Sequence, residues 1–323
     1  MTWFMLRGGL SSWPRAAQTS IFSPHGTPAH FIFGLSMFVL AITAAIFLIA
    51  GGLLVYVLIR YRQRASDSEH EPAQIYGSNQ IELSWTVIPV LIVLVLFLTT
   101  ARVIFNTEYV SKPDGALDVI VIGHQYWWEF RYPKLGIVTA NELHIPVHTP
   151  TYLEMSSSDT VHSFWVPRLA GKMDVIPNRV NVIWIDADAS GLYLGQCAQY
   201  CGTQHAKMLL RVYAQSPGDF DAWVAQQRQV ATQAVEGQSV FLANACINCH
   251  TIAGTVANGR FGPDLTHLRS RDTIASGAVA NTAENLRKWI DNPDQMKPGC
   301  LMPPMHLNDR DLDAVTAYLG TLQ

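Results

Sequence analysis

Two long apolar runs near the N-terminus constrain this chain more than any other feature. Residues 31–59 form a stretch of 29 residues without a formal charge, and a second uncharged run covers residues 83–101. About 20 apolar residues in a helix are enough to cross a bilayer. The first run is too long for the apolar part of a signal peptide, and no small-residue cleavage site follows it. The sequence therefore predicts two membrane helices, at about residues 31–59 and 82–104.

Basic residues follow the first run directly. Arg60, Arg62 and Arg64 begin the connection to the second run, and such clusters are retained on the cytoplasmic side of a membrane. Both ends of the chain then face outward, and residues 103–323 form a large exterior portion. The overall composition agrees, because only 15% of the residues are charged and 49% are hydrophobic, a low charge content for a purely soluble protein.

The pattern changes after the second run, where short segments rich in Val, Ile, Tyr and Trp alternate with turn residues. This pattern is typical of an antiparallel sandwich or barrel. The expected strands lie at residues 117–122, 126–132, 151–156, 180–186 and 208–213. One all-β domain over residues 106–215 accounts for all of them.

A cluster of metal-type residues closes this β-rich domain. Cys197 and Cys201 are four residues apart, His205 is four further on, and Met208 follows three later. Sulfur ligands together with imidazole select copper or zinc. A thioether is common in copper electron-transfer sites and rare at zinc, so Met208 favours copper.

The second histidine and the state of the cysteines remain open at this point. His162, in D-T-V-H-S-F-W-V-P, precedes an apolar strand and is the first choice, with His144 and His148 as alternatives. A disulfide between Cys197 and Cys201 is the structural alternative, because the outer face of a membrane is oxidising. A disulfide would not explain the spacing of His205 and Met208.

The two motifs together resemble subunit II of the haem–copper cytochrome c oxidases. H-S-F-W-V-P and C-x-Q-x-C-G-x-x-H-x-x-M, behind two membrane helices, match that family over about residues 28–214. The resemblance implies a cupredoxin-like domain with a dinuclear copper centre, CuA, on the periplasmic side of a bacterial inner membrane. The implied ligands are the bridging thiolates of Cys197 and Cys201, the imidazoles of His162 and His205, the thioether of Met208 and the backbone carbonyl of Gln199.

The resemblance also bears on the roles of three further positions. Many members have Glu where Gln199 stands, so a magnesium ion at the contact with subunit I would lack its carboxylate here. In G-H-Q-Y-W-W, family members usually have a tryptophan after H-Q, and that tryptophan receives electrons. Here Tyr126 follows H-Q, with Trp127 next to it. Packing in the core of the domain is the alternative role for these aromatic residues. Glu82, in E-L-S-W-T-V-I-P, aligns with a carboxylate at the mouth of a proton channel, although it also fits an ordinary interfacial carboxylate.

A second redox motif lies near the C-terminus. C-I-N-C-H, from Cys246 to His250, has the C-x-x-C-H form of c-type haem attachment. Cys246 and Cys249 would bind the haem covalently, and His250 would be an axial ligand. Met302 in L-M-P-P-M is the expected sixth ligand, with Met305 and Met296 as alternatives. A thioredoxin-like motif would need a βαβ context, which these surroundings lack.

The C-terminal segment predicts an all-α cytochrome c domain over residues 236–323. It ends in an amphipathic helix, and a polar linker at residues 216–235 precedes it. Cys300 is expected to be a buried free thiol. The domain has 7 Lys and Arg against 9 Asp and Glu, a net charge of 7 − 9 = −2, which favours a basic partner or an apolar contact.

The order of these parts predicts an electron-input subunit of a respiratory oxidase. A cytochrome-type donor would reduce the haem, and the dicopper centre would pass electrons to a catalytic subunit I that reduces oxygen to water and pumps protons, with subunit III as a further partner. A quinol-oxidising subunit II would lack the copper ligands, and nitrous oxide reductase would need a second copper domain. A free-standing membrane-anchored carrier stays open. No segment favours nucleic-acid binding.

Overall fold

The structure is a computed structural model that describes residues 19–62, 74, 76–108, 111–229 and 237–323. It divides into two units, one of residues 31–110 and one of the remaining chain. The first unit holds nearly all of two long helices, α1 (Thr27–Arg60) and α2 (Asn79–Thr107), each extending a few residues beyond its predicted ends. Arg64 and the acidic residues of the connecting loop lie outside the described residues.

The two helices have the surface of membrane spans. Their central residues are apolar, and their side chains are exposed along the whole length. Several hydroxyl groups are satisfied within the helices: Ser36, Thr43 and Thr86 each donate to the carbonyl four residues earlier, at 2.8–2.9 Å. Internal satisfaction of this kind is required in hydrocarbon, which offers no other hydrogen-bond partner.

The β-rich domain is a sandwich of two five-stranded sheets. The first sheet has the order β3-β2-β1-β5-β8 and the second the order β4-β10-β9-β6-β7. The strands are β1 (Leu117–His124), β2 (Trp127–Tyr132), β3 (Ile137–Ala140), β4 (Glu142–Pro146), β5 (Thr151–Ser157), β6 (His162–Trp165), β7 (Met173–Val175), β8 (Asn181–Ile185), β9 (Gly191–Cys197) and β10 (Leu209–Gln215).

The expectation of a wholly antiparallel domain is wrong in two places. β1 pairs with β5 in parallel, and β10 pairs with β4 in parallel, while the other strand pairs are antiparallel. Each parallel pair joins strands whose connection passes through the other sheet. Alternating segments in the sequence indicate hairpins between neighbouring strands, and they do not reveal crossovers between sheets.

The core of the sandwich is built from the inward faces of these strands. Along β10 every second residue is buried, as the period of two in a half-buried strand requires. Trp128, Phe130 and Phe164 are fully buried, with ring planes of Trp128 and Phe164 at 90°. This edge-to-face packing fixes β2 of one sheet against β6 of the other.

A helix that sequence reasoning placed in the linker packs on the sandwich instead. Helix α3 (Pro217–Gln227) begins at Ser216, whose hydroxyl accepts a hydrogen bond from the Asp219 amide at 3.2 Å. Phe220 and Trp223 are buried in the sandwich core. The linker expected at residues 216–235 therefore begins with a docked helix, and its last residues, 230–235, lie outside the described ranges.

The C-terminal domain is helical, as predicted. Its helices are α4 (Gln238–Ala243), α5 (Cys246–Cys249), α6 (Ala283–Asp291), α7 (Pro293–Met296) and α8 (Asp309–Leu319), with a two-stranded ladder of β11 (Thr273–Ile274) and β12 (Val279–Ala280). Phe241 on α4 and Tyr318 on α8 are buried with ring centroids 6.1 Å apart. The first and last helices of the domain thus form one core.

We predict that His144 makes the sandwich sensitive to acid. Its ring is stacked between Tyr213 and Trp223, and burial lowers its pKa to about 4. The unfolded chain has a pKa near 6.5 at this residue, so stability is full above that pH and is lost as the pH falls towards 4. The loss is on the order of 2–3 kcal/mol.

Thermal unfolding of the copper-free chain at pH 7 and pH 4.5 tests this, with near-UV circular dichroism as the probe. His144→Gln should lower the melting temperature at pH 7 and reduce the difference between the two pH values. An equal acid shift in both proteins would contradict the assignment. His148→Gln is the matched control, because His148 is exposed at a turn.

Candidate copper and haem sites

A loop between two paired strands brings the sulfur ligands together. β9 ends at Cys197 and β10 begins just after Met208, and the Cys197 amide donates to the Met208 carbonyl at 3.0 Å. The neighbouring strand β6 begins at His162 and pairs with β9, so that Phe164 lies opposite Cys197. The predicted residues from three chain segments therefore converge on one point.

The distances within this cluster suit a two-metal site. Cys197 Sγ lies 3.9 Å from Cys201 Sγ, and both cysteines are free thiols rather than a disulfide. His162 Nδ1 is 4.0 Å from Cys197 Sγ, and His205 Nδ1 is 3.8 Å from Cys201 Sγ. Met208 Sδ is 3.9 Å from Cys201 Sγ. Each thiol thus has one imidazole beside it, and the Met208 thioether lies beside the Cys201 thiol.

His162 is oriented by a carboxylate that sequence reasoning missed. His162 Nε2 lies 2.8 Å from Asp159 Oδ1, and the ring is fully buried. Because a carboxylate can only accept, the Nε2 proton is donated to it and the Nδ1 lone pair faces Cys197. Burial disfavours the charged ring, but Asp159 and Cys197 outweigh it and raise the pKa of His162. Such carboxylates commonly orient metal-bound histidines.

The thiol pair is acidic. The hydrogen bond between the two sulfurs lowers the pKa of Cys197 to about 3, and the same contact raises the pKa of Cys201. A metal binds the thiolate form, so the lowered pKa of Cys197 favours metal binding.

Gln199 offers an oxygen from the backbone but no carboxylate. Its carbonyl lies 3.1 Å from Cys197 Sγ, as a backbone ligand on this loop would. Within the described ranges, the close group of metal-type side chains consists of His162, Cys197 and Cys201. It includes no acidic residue, and a magnesium ion is not supported.

The two alternative histidines lie elsewhere. His144 is packed between aromatic rings with its Nδ1 3.0 Å from Gln215 Oε1. His148 has a left-handed backbone with φ of 56° at a turn after β4. His144 lies opposite Tyr213, near the end of β10, whereas the thiol loop lies where β9 ends and β10 begins.

A cavity in the C-terminal domain contains the predicted haem-binding residues. Cys246, Cys249 and His250 line it, as do Met302 and Met305, whereas Met296 does not. His250 Nδ1 donates to the Pro263 carbonyl at 2.8 Å, which leaves its Nε2 lone pair free for a metal. Burial lowers the pKa of His250, so the ring is neutral, as an iron ligand must be. Cys300, expected to be buried, is a half-buried free thiol at the cavity wall.

The cavity is not enclosed by the C-terminal domain alone. Gln125, Tyr126, Trp127 and Asn141 of the sandwich also line it. Gln125 Nε2 donates to the Cys201 carbonyl at 2.6 Å, so the same turn touches both the cavity and the thiol loop.

The three consecutive aromatic residues have different surroundings. Trp128 is fully buried in the sandwich core, so core packing describes it. Trp127 is stacked on His124 with ring centroids 4.1 Å apart and also faces the cavity. Tyr126 is half-buried, and its hydroxyl lies against Gly202, next to Cys201. Tyr126 thus contacts both the cavity and the thiol loop, whereas Trp127 lines the cavity.

A buried polar junction joins the two domains. Glu142 is 2% exposed, and its carboxylate accepts from the amides of Asp272 and Thr273 at 3.1 and 2.9 Å and from the Thr273 hydroxyl at 2.7 Å. Arg211 donates to that hydroxyl at 2.8 Å, and Tyr213 donates to Asp272 Oδ2 at 2.8 Å. The turn that begins the β11–β12 ladder is thereby bound to strands β4 and β10.

Comparison with known proteins agrees with this arrangement along the chain. Residues 19–103 match the transmembrane domain of cytochrome c oxidase subunit II, residues 135–215 its periplasmic domain, and residues 234–323 the cytochrome c family. Cytochrome c oxidase subunit 2 of Alkalihalophilus pseudofirmus is 33% identical over 93% of this chain and 90% of its own length. The chain belongs to the cytochrome c oxidase subunit 2 family.

The names of other similar proteins include both cytochrome c oxidases and quinol oxidases. Cytochrome c oxidase subunit 2 of Bacillus sp. PS3 is 35% identical over 81% of this chain and 80% of its own length. Quinol oxidase subunit 2 of Bacillus cereus is 29% identical over 67% of this chain and 76% of its own length. Family membership makes this oxidase subunit part of an oxidoreductase that includes subunit I, and its copper and cytochrome domains imply a role in electron input.

The location of the oxidase subunit follows from the same matches. Two apolar helices precede a domain of the periplasmic type, which confirms a two-pass protein of the inner membrane. Glu82 lies in the first turn of α2, and its side chain is exposed. A cupredoxin-like sandwich followed by a helical cytochrome c domain confirms the predicted fold class.

We predict that Gly202 in this oxidase subunit tolerates no side chain. Its φ is 129°, and a Cβ atom there would lie 2.5 Å from the Tyr126 hydroxyl oxygen. Gly202→Ala should lower the free energy of unfolding by about 1–3 kcal/mol, measured by guanidinium titration of the copper-free chain. Gly218→Ala is the control, since no atom would lie within 4 Å of its Cβ. Equal stabilities would contradict the close contact with Tyr126.

Proposed function

We propose that this subunit carries electrons from a cytochrome-type donor, through a covalently bound haem c and a dinuclear copper centre, into oxidase subunit I. Subunit I then reduces oxygen to water and pumps protons, with subunit III as a further partner. The observation that carries the proposal is the turn of Gln125 and Tyr126, which lines the C-x-x-C-H cavity and also contacts the thiol loop at Cys201 and Gly202. A chain in which two redox sites share a wall is suited to passing electrons internally.

The residues assigned to copper are those with the right chemistry at the right separation. The thiolates of Cys197 and Cys201, the imidazoles of His162 and His205, the Met208 thioether and the Gln199 carbonyl would hold the two copper ions. Asp159 would hold His162 in the tautomer that presents Nδ1. When bound, the copper pair would supply a one-electron carrier.

The residues assigned to haem fit a covalent cytochrome site. Cys246 and Cys249 would form the two thioether bonds, and His250 would bind the iron through Nε2 while Pro263 fixes its ring. Met302 is proposed as the sixth ligand. Met305 also lines the cavity and is the alternative. A His and Met pair gives haem a high reduction potential that suits electron transfer.

The remaining assignments complete the proposed path. Tyr126 and Trp127 would provide the contact between the haem cavity and the copper loop, because Tyr126 reaches Gly202 and Gln125 binds Cys201. Glu82 would stand at the mouth of a proton channel of subunit I. The proposed segments are the membrane portion at residues 1–105, the copper domain at 106–215, the linker at 216–235 and the cytochrome c domain at 236–323.

A quinol-oxidising role is the other candidate, because quinol oxidase subunits 2 are among the relatives. A quinol-oxidising subunit has no use for sulfur ligands. The clustered Cys197, Cys201 and Met208 favour the copper role.

Electron paramagnetic resonance of the purified, copper-loaded chain tests the copper assignment. We expect a hyperfine pattern from one electron shared equally by two coppers. Cys201→Ser should replace it with a single-copper pattern or abolish it, whereas Cys300→Ser, a matched control outside the cluster, should leave it unchanged. A single-copper pattern in the unmodified chain would contradict the proposal.

We also predict that Glu142 sets the rate of electron transfer between the two sites. Glu142→Ala removes three acceptor contacts to Asp272 and Thr273, each worth about 0.5–1.5 kcal/mol. The rate from haem to copper, followed after photochemical reduction of the haem, should fall at least tenfold with an unchanged copper spectrum. Glu154→Ala, at an exposed position on β5, is the control. An unchanged rate would show that the junction does not position the domains.

A further inference from the structure

We infer that copper binding to the thiol loop and docking of the cytochrome c domain on that loop stabilise each other, an inference that rests on the proposed copper site. Gln204 and Gly299 would be positioning residues, one on each side of the contact. The contact joins the thiol loop, residues 198–208, to a turn of the cytochrome domain at residues 296–300. It is a second contact between the domains, besides the Glu142 junction.

Two side chains of the thiol loop donate hydrogen bonds to the turn. The Gln204 side-chain amide donates to the Pro298 carbonyl, and Lys207 Nζ donates to the Met296 carbonyl at 3.2 Å. Gln204 is 5% exposed, and among the described residues its Oε1 has no hydrogen-bond partner. A buried amide without any partner is costly, so the side chain of Gln204 depends on the Pro298 carbonyl.

The turn presents a preformed surface to the loop. The Gly299 amide donates to Asp294 Oδ1 at 2.6 Å, and the Cys300 amide donates to the Lys297 carbonyl at 3.0 Å. Gly299 has a φ of 82°, and a Cβ atom added there would lie 2.8 Å from Thr203 Cγ2. Glycine is therefore required at this position if the turn is to approach the loop so closely.

The docking residues of the loop alternate with its proposed copper ligands. Gln204 directly precedes His205, and Lys207 directly precedes Met208. Because neighbouring residues share a backbone, a ligand cannot shift far without moving the docking residue beside it. Copper binding and docking thus remove the same conformational freedom from the loop. Whichever occurs second costs less ordering than it would alone, which is positive coupling.

The coupling must act equally in both directions. The factor by which copper strengthens docking is also the factor by which docking strengthens copper binding. Couplings of this kind are typically about 5–150-fold. A substitution in the cytochrome domain that weakens docking should therefore weaken copper binding in the sandwich.

Hydrogen–deuterium exchange of the full, haem-loaded chain tests the first direction. Copper loading should slow exchange of the amides at residues 294–301 by at least about fivefold, because the turn leaves the loop less often. The exposed turn at residues 253–256 of the same domain is the internal control. Its exchange should be the same with and without copper.

Competition with a copper(I) chelator tests the second direction. Gly299→Ala, on the cytochrome side, should lower the apparent copper affinity of the haem-loaded chain by at least about fivefold. Gln204→Leu, on the loop side, should do the same. Gly136→Ala is the matched control, because Gly136 has a similar φ of 69° and no atom would lie within 4 Å of its Cβ. Its copper affinity should equal that of the unmodified chain.

Three results would overturn the inference. The first is equal exchange at residues 294–301 with and without copper, and the second is an equal copper affinity in Gly299→Ala and Gly136→Ala. If Gly299→Ala does not retain haem, the copper-dependent exchange of Gln204→Leu decides, and a slowing as large as in the unmodified chain is the third. An unmodified chain without a two-copper spectrum would overturn the proposed function as well.

Discussion

One buried carboxylate accepts three of the hydrogen bonds that join the two redox domains. Glu142 lies on an edge strand of the sandwich and accepts three hydrogen bonds from a turn of the cytochrome domain. A buried carboxylate that loses such partners pays a large desolvation cost, so separation of the domains at this point is unfavourable. The cavity and the thiol loop meet at Gln125 and Tyr126, and this junction is one of the contacts that hold the two domains together.

Much of the candidate site could be predicted from sequence because its ligands are local. Cys197, Cys201, His205 and Met208 lie on one loop whose spacing already matches a metal site, and C-x-x-C-H is contiguous. The membrane helices could also be predicted, since some 20 residues without charge indicate a membrane span. In each case the chemistry follows from residues that are neighbours in the chain.

The residues that could not be predicted act across long separations. Asp159 orients His162, and Glu142 binds Thr273 across 131 positions of sequence. Nothing in the neighbourhood of Glu142 distinguishes it from a surface carboxylate, and only the pairing of β4 with β10 places it against the cytochrome domain. The two parallel strand pairs and the docking of α3 on the sandwich were missed for the same reason: each depends on a crossover between sheets or on tertiary packing.

The central claim is that this chain conducts electrons internally, and kinetics of the unmodified chain test it most directly. Haem c in the copper-loaded protein would be reduced by a laser flash with an external photoreductant, and the appearance of reduced copper followed in the near infrared. The account predicts a first-order transfer, complete within milliseconds, whose rate is independent of protein concentration. A transfer that accelerates in proportion to protein concentration, or that does not occur, would contradict it.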